Sequence, residues 1–475
     1  MGFEPRIIAY LCTWCSYTGA DTAGIARIKH PQNLRAVRVP CSGRVSPELI
    51  MRTFDQGADG VLVLGCHIGE CHYDNGNHRT AKRLPVLQAL MSYAGLEPQR
   101  LRLDWVSASE GERFSRIVTE FTEAVRALGP APWRQPDQGA WGHDDPAMQV
   151  FPPPGVVQDL PGAEEACQER LQAITGGVRQ VARQLLESGQ VGCVIGYETG
   201  PRRRVRPVFI RKADQAERLV WNQHCTHNLS VYLGDALVAQ RGKPAPAPVA
   251  VVAKPCDSRA INVLLGENRF IRNQVVVIGV ACDGILDGAG EKAFPDNGGC
   301  RPEHLQPRCR ACSQRLPLVY DHLVGGSEHV AGPPAQTQVG QVELESHFTR
   351  LEQKTPGGRM EFWLAQFDRC LRCYACRQAC PMCYCPTCLY ERDDSLWVGL
   401  GVRVNEKRAF HLGRAFHLAG RCVGCNECER ACPVDIPISL LNRKLALEIQ
   451  AAFGFQPGLN PAPSPLATIL KREES

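Results

Sequence analysis

The chain has 475 residues, a net charge of +5 and 44% hydrophobic residues, which allows roughly two to four domains with real cores. The weak positive bias, with no polybasic tail, disfavours nucleic acid as a partner, and no stretch approaches the ~18 apolar residues of a membrane span. Cysteine is the outlier, at 24 residues. A secreted disulfide protein would be shorter and would open with a leader, which MGFEPRIIAYLCTWC does not resemble. The thiols therefore read as metal or redox ligands in a reducing cytoplasm.

Residues 1–130 alternate strands with helices. Arg6–Leu11 is a buried strand running into Cys12 and Cys15, with a helical pattern through Ala26. Leu34–Val39 is a second strand ending at Pro40 and Cys41, followed by a helical Pro47–Gln56. Asp59–Leu64 is a third, ending at Gly65 and Cys66, with Cys71 five residues on. Leu101–Val106 and the helix Gly111–Ala127 complete the set. This alternation predicts a doubly wound parallel sheet, whose ligands lie beyond the carboxyl ends of the strands. Three strands deliver thiols to that edge, whereas structural cysteines would fall inside strands.

Cys12, Cys15, Cys41, Cys66 and Cys71 are one more thiol than a [2Fe–2S] cluster needs. The stretches CTWCSYTGAD, VPCSGRV, GADGVLVLGCHIGECHY and WVSASEG closely resemble the delta subunit of methyl-viologen-reducing hydrogenase, the iron–sulfur subunit that links hydrogenase to heterodisulfide reductase. The resemblance implies one [2Fe–2S] cluster on four of the five cysteines and leaves open which is spare. His67 and His72 read as hydrogen-bond donors to sulfur rather than ligands.

Residues 131–165, rich in Pro, Gly, Gln and Asp, read as a linker. Trp133 and Trp141 either dock on a neighbouring domain or lie in a surface loop.

Residues 166–330 read as a second α/β domain. Cys167–Leu186 is helical, and Gly192–Tyr197, Val208–Arg211, Val249–Ala253 and Val275–Val280 are strands. The last two end near Cys256 and Cys282. With Cys300, Cys309 and Cys312 these form a candidate further cluster set. A [4Fe–4S] cluster is favoured over zinc, which uses the same four-thiolate geometry. Cys167, Cys193 and Cys225 read as ordinary thiols. No G-x-G-x-x-G follows a strand, which argues against a dinucleotide site of that type. Arg202, Arg203, Arg204 and Arg206 suit a phosphate-bearing cofactor or an acidic partner, or form a solvated loop. Lys254 is a candidate contact to a flavin or a cluster. The fragments PRRRVRPVFIRKADQAERLVWNQHCTHNLSVYL, VAVVAKPCDSRAI and VVIGVACDG resemble the beta subunits of deazaflavin-reducing hydrogenases and formate dehydrogenases, which implies FAD and a [4Fe–4S] cluster.

Residues 331–350 read as a second linker, 351–455 as a helical unit and 456–475 as a Pro-rich tail. The helical unit carries Cys370-x2-Cys373-x2-Cys376-x3-Cys380-Pro381 and, later, Cys422-x2-Cys425-x2-Cys428-x3-Cys432-Pro433. This is the bacterial ferredoxin run, in which three thiols hold one cubane and the fourth reaches the other cluster. The expected sets are Cys370, Cys373, Cys376 and Cys432, and Cys422, Cys425, Cys428 and Cys380. The long spacing and helical flanks suit the α-helical dicluster ferredoxin of heterodisulfide reductase and succinate dehydrogenase iron–sulfur subunits. Cys383, Cys385 and Cys388 are surplus and could join a middle-domain thiol in another cluster, form a zinc knuckle or stay unligated.

The whole reads as a cytoplasmic electron-transfer subunit with one [2Fe–2S], two [4Fe–4S] and a candidate further [4Fe–4S] or zinc site. It would connect a hydrogenase or formate dehydrogenase to a heterodisulfide reductase-like flavoprotein. The alternatives are an FAD-bearing protein exchanging hydride with deazaflavin or NAD(P), and a zinc-binding assembly scaffold.

Overall fold

A computed structural model describes residues 2–134, 163–201, 204–239, 247–286, 305–326, 336–392, 398–399 and 401–467. The first unit contains β1 (Ile7–Cys12), α1 (Ser16–Ile25), β2 (Leu34–Val39), α2 (Pro47–Asp55), β3 (Gly60–Gly65), α3 (Gly76–Tyr93), β4 (Leu101–Trp105) and α4 (Gly111–Leu128). Its sheet is wholly parallel, in the order β2-β1-β3-β4. Both faces are covered, so the central strands read as continuous apolar runs. On one face Ile7, Ala9, Leu11, Leu62 and Leu64 meet Phe114, Ile117 and Phe121 of α4. The doubly wound expectation is met, with one element unread in the sequence. Helix α3 carries Pro85 in its interior, the residue that ordinarily signals a break.

The second unit contains α5 (Ala163–Glu187), β5 (Cys193–Thr199), β6 (Val205–Ile210), α6 (Leu233–Val238), β7 (Val249–Ala253), α7 (Pro255–Gly266), β8 (Val275–Val280), α8 (Pro307–Arg310) and β9 (His322–Val324). The strand order is β6-β5-β7-β8-β9, with β6 antiparallel and the rest parallel.

The third unit is helical: α9 (Gln336–Glu352), α10 (Pro356–Asp368), α11 (Ala375–Gln378), α12 (Val404–His417), α13 (Glu427–Arg430) and α14 (Ile438–Phe453). The linker expected over 331–350 is corrected here, because 336–352 is helix α9. That segment has no proline, and it buries Phe348 and Leu351, with Phe348 against Tyr93 at 6.3 Å. Thr355 caps α10 by accepting from Gly358 N–H at 3.2 Å, with Pro356 in the first turn, where its missing N–H costs nothing.

The units are joined by shared packing. The second face of the first sheet, through Tyr10, Val61 and Val63 with Ile50, Phe54, Leu87 and Leu90, is continuous with Trp363, Phe367, Leu412, Phe416, Leu441 and Leu445 of the helical unit. Trp363 donates to the Tyr93 carbonyl at 3.1 Å. Gly95, at φ +88°, lets α10 approach: a Cβ there would collide with Pro356 O and Met360 N. Trp133 is buried, edge-on to Phe54 at 6.2 Å and 4.1 Å beneath the Arg408 guanidinium. The docking alternative thus holds for Trp133, while Trp141 lies outside the described residues. The Pro-rich segment after α14 is irregular and packed. Arg259 and Asn262 of α7 donate to Pro457 O (2.8 Å) and Gly458 O (3.0 Å), and Lys82 of α3 donates to Pro465 O at 3.2 Å.

Two ion pairs across the first and third units yield predictions. Arg408 pairs with Asp55, their side chains 6% and 1% exposed. Arg408→Leu leaves a buried carboxylate unpaired and should cost about 3–5 kcal/mol. The double variant Asp55→Leu/Arg408→Leu should recover most of this in denaturant titrations. Glu48 lies 2.5 Å from His417. Burial pushes its carboxyl up, but the hydrogen bond and charge of His417 outweigh this and hold it below 4.5. Such a group adds stability that is complete above the unfolded value and is lost as pH falls through the folded value. Glu48→Gln should therefore flatten the acid limb of stability between about pH 5 and 3.

Candidate metal centres

In the first unit the thiols gather beyond the strand ends, where a doubly wound sheet presents its ligands. Cys12 ends β1, Cys15 precedes α1, Cys41 follows β2, and Cys66 and Cys71 follow β3. All five are buried. The sulfurs of Cys12, Cys15 and Cys66 lie within 4.8 Å of one another. Cys12 and Cys66 are 3.8 Å apart, and Cys41 and Cys71 are 3.7 Å apart. Two thiolates on one tetrahedral ion, with bonds of ~2.3 Å, lie about 3.8 Å apart. The spacing therefore fits metal ligation.

The electrostatics point the same way. Cys12 and then Cys66 push the Cys15 thiol up, and Cys12 does the same to Cys41. Hydrogen bonds from Cys12 and Cys15 hold Cys66 low, at about 4. The thiols cannot all ionise together unless a cation shares the site. Backbone N–H groups are aimed at three of the sulfurs: Gly43 to Cys41 at 3.4 Å, Trp14 to Cys12 and His72 to Cys66. The imidazoles act differently from expectation. His67 Nε2 bonds Glu110 at 2.7 Å, and the His72 ring stacks on Trp14 at 3.7 Å. Asn77, unnoticed in the sequence, donates to the carbonyls of Cys66 (3.2 Å) and His67 (2.6 Å). Gly76 is the tight spot, because a Cβ there would collide with Cys41 Sγ and sit 3.2 Å from Cys71 Sγ.

In the second unit, Cys256 begins α7, Cys282 follows β8, and Cys309 and Cys312 sit on and after α8. All four line one cavity of about 480 Å³. Cys422 and Cys425 of the third unit line it too, as do Lys254, Arg259, Arg308, Arg315 and Arg443. Burial, then Cys309, pushes the Cys282 thiol up to about 12. Ile285 N–H donates to Cys309 Sγ at 3.4 Å. Cys300 lies outside the described residues, as do Arg202 and Arg203. Arg204 is exposed, and Arg206 pairs with Glu198 at 2.8 Å. Lys254 directs its ammonium inward, to the Tyr197 hydroxyl, the His227 carbonyl and Asp257. Three N–H groups thus meet three internal acceptors, which argues against a flavin contact.

In the third unit the two runs fold alike. Arg372 and Tyr374 of the first have φ of 51° and 58°, and Gly424 and Asn426 at the equivalent places of the second have 70° and 52°. A four-residue helix follows each, α11 and α13. Non-glycine residues rarely adopt this left-handed backbone. Here it wraps the loop so that Arg372 N–H meets Cys370 Sγ at 3.3 Å and Gly424 N–H meets Cys422. Burial is the main influence on Cys370 and Cys376, and Cys383 on Cys380. Cys432 acts electrostatically on Cys370 and Cys376, and Cys425 acts on Cys380. Cys373 is exposed, while Cys376, Cys425, Cys428 and Cys432 are buried.

The surplus thiols lie in three different surroundings. Cys383 adjoins Cys380 of its own run. Cys385 is exposed, with its carbonyl held by Arg377 at 2.9 Å, and Cys388 is partly buried. The third-unit thiols that meet the middle domain's set are Cys422 and Cys425. Two buried charges bridge that junction: Arg308, beside Cys309, and Glu427, between Cys425 and Cys428, pair at 3.2 Å. Burial raises the Glu427 carboxyl, but Arg308 and Arg430 bring it below its ordinary value.

Residues 7–129 match the family described as methyl-viologen-reducing hydrogenase, delta subunit. The D-type iron–sulfur protein of F420-non-reducing hydrogenase from Archaeoglobus profundus is 48% identical over 128 residues, which are 27% of this chain and 93% of that protein. Its vhc counterpart from Methanococcus voltae is 44% identical over 27% of this chain and 89% of its own length. The A component of ferredoxin:CoB-CoM heterodisulfide reductase from Methanosarcina mazei is 48% identical over 126 residues, 26% of this chain and only 16% of that protein. No helix among the described residues is long and apolar enough to cross a membrane.

The crowding at Gly76 gives a prediction. Gly76→Ala should displace Cys41 from Cys71 and weaken Co(II) binding to the reduced thiols by about tenfold or more, read from the thiolate-to-cobalt absorption band. Far-UV circular dichroism should stay native.

Proposed function

Because the chain belongs to the methyl-viologen-reducing hydrogenase delta-subunit family, we propose that it is a fused iron–sulfur electron-transfer protein. One [2Fe–2S] cluster falls to residues 1–130, on four of Cys12, Cys15, Cys41, Cys66 and Cys71. Two [4Fe–4S] clusters fall to a helical dicluster ferredoxin over 351–455, on Cys370, Cys373, Cys376 and Cys432 and on Cys422, Cys425, Cys428 and Cys380. A further [4Fe–4S] cluster, or zinc, falls to Cys256, Cys282, Cys309 and Cys312 of the domain at 166–330. The observation that carries this reading is the opening of two thiol sets, from the second and third units, onto one cavity. A scaffold has no need to bring its metals together, whereas a wire does.

When bound, such clusters supply one-electron transfer with no proton chemistry of their own. The chain's residues fix the thiols at strand and loop ends, aim backbone N–H groups at sulfur and exclude water by burial. The donor in this reading is a hydrogenase- or formate dehydrogenase-type oxidoreductase, and the acceptor is a heterodisulfide reductase-like flavoprotein. Support comes from relatives named for both kinds of complex. A reducing cytoplasm suits so many free thiols. Direct hydride exchange through FAD has less support, since Lys254 is engaged internally.

Anaerobic purification tests this directly. The native chain should carry about 10 iron and as many labile sulfide, or about 14 with a cubane in the middle domain. Electron paramagnetic resonance of the reduced protein should resolve a [2Fe–2S] signal beside the [4Fe–4S] signals. Zinc with almost no iron would sink the proposal and favour a scaffold.

A further inference from the structure

The two expected ligand sets of the third unit face different neighbours. Cys422 and Cys425 line the cavity of about 480 Å³ together with Cys256, Cys282, Cys309 and Cys312, and no described cysteine of the Cys370 set does. Packing divides the sets in the same way. Cys380, Cys422 and Cys425 pack in the apolar core of the second unit, as do Cys256, Cys282 and Cys309. Cys370, Cys376 and Cys432 lie in a separate core, which Cys428 shares with them. Cys373, the remaining member of the Cys370 set, is exposed, beside Leu371 at 61% exposure.

A buried bridge spans the seam between the second and third units. Arg308, next to Cys309, donates to Glu427 and to the Thr226 carbonyl, each at 3.2 Å. Glu427 stands between Cys425 and Cys428 and also accepts from Arg430 at 2.7 Å. Arg308 lines the cavity, and its Nε is buried with no hydrogen-bond partner among the described residues. Bonds of this kind are directional, so the bridge holds the loop of Cys425 and Cys428 against that of Cys309. Cys428 in turn reaches the core of the Cys370 set.

We propose that this placement sets the order of the wire. The centre on Cys256, Cys282, Cys309 and Cys312 exchanges electrons directly with the cubane on Cys422, Cys425, Cys428 and Cys380, and the cubane on Cys370, Cys373, Cys376 and Cys432 is the outer terminal. The inference rests on the function proposed above and goes further, because it requires iron and not zinc at the middle centre. In each transfer one centre is oxidised by one electron and its neighbour reduced by one, and no covalent bond is made or broken.

The test uses the full chain, purified anaerobically as native protein, Cys282→Ala, Cys373→Ala and Cys425→Ala. Iron is counted first, and the reduced proteins are then compared by electron paramagnetic resonance, in which a close paramagnetic neighbour broadens a signal. The native protein should carry about 14 iron. The signal missing from Cys282→Ala identifies the middle centre, and in the native protein it should be broadened. Cys373→Ala should lose about 4 iron and keep that broadening, whereas Cys425→Ala should lose about 4 iron and the broadening with it. Broadening that survives Cys425→Ala, or that vanishes in Cys373→Ala, would overturn the order. If a variant fails to assemble, the native protein still decides, since a sharp middle-centre signal in the fully reduced state overturns the inference. Native protein with about 10 iron and with zinc at the middle centre would overturn it and leave the proposed function standing. Native protein with almost no iron would remove that function itself.

Discussion

Buried sulfur must be compensated, and the whole arrangement depends on how this chain does it. No disulfide joins the described cysteines, and most sit where water cannot stabilise a thiolate. Burial pushes Cys282 and Cys425 to about 12, and neighbouring thiols push Cys15 and Cys41 upward. Left to protons alone, such pockets hold neutral thiols at odds with the cations built around them. Arg308, Arg414 and Arg443 are all buried beside sulfur. Buried cations of this kind make sense only against buried negative charge. Glu427 provides part of that charge at Arg308, and in the proposed function thiolates on a metal core would provide the rest.

The sequence made much of this legible. Strand ends are marked by cysteine at Cys12, Cys41 and Cys66, and an apolar run that stops at a thiol reads clearly as a strand edge. The two cysteine runs carry their register in their spacing, while the left-handed backbone they share, at Arg372 and Gly424 and at Tyr374 and Asn426, emerged only with the fold. Other features were hidden for physical reasons. Pro85 masked helix α3, because tertiary packing of Leu84, Leu87 and Leu90 overrides the local break. Arg308, Glu427 and Arg414 look like ordinary surface charges in the sequence, and only the fold turns them inward. Lys254 suggested a ligand contact from its place beside Cys256, yet Asp257 and Tyr197 had already claimed it. The closeness of Cys383 to Cys380 depends on a turn that spacing does not reveal.

The three units are held by two different kinds of contact. The first and third share an apolar core, with Trp363 and Phe416 on one side and Tyr10 and Leu90 on the other. Such packing is close and unforgiving of shifts. The second and third also meet through charge. Arg308 joins Glu427, and Arg421 and the Tyr384 hydroxyl both reach Glu267 at 2.7 Å. Directional bonds at this second seam specify orientation as well as distance. Both seams flank the cysteine runs, so the spacing between thiol sets is set by the tertiary structure and not by diffusion between separate proteins.

The irregular segment after α14 has a consequence for assembly. Its carbonyls are gripped by Arg259 and Asn262 from the second unit and by Lys82 from the first, and Ser464 bonds the Ala419 carbonyl of the third. A single short strap thus touches every unit. Its contacts can close only after residues 457–465 have emerged from the ribosome, when all the cysteine runs are already outside. The strap is therefore the last contact to close, after every cysteine run, and it adds to the two seams a tie common to all three units.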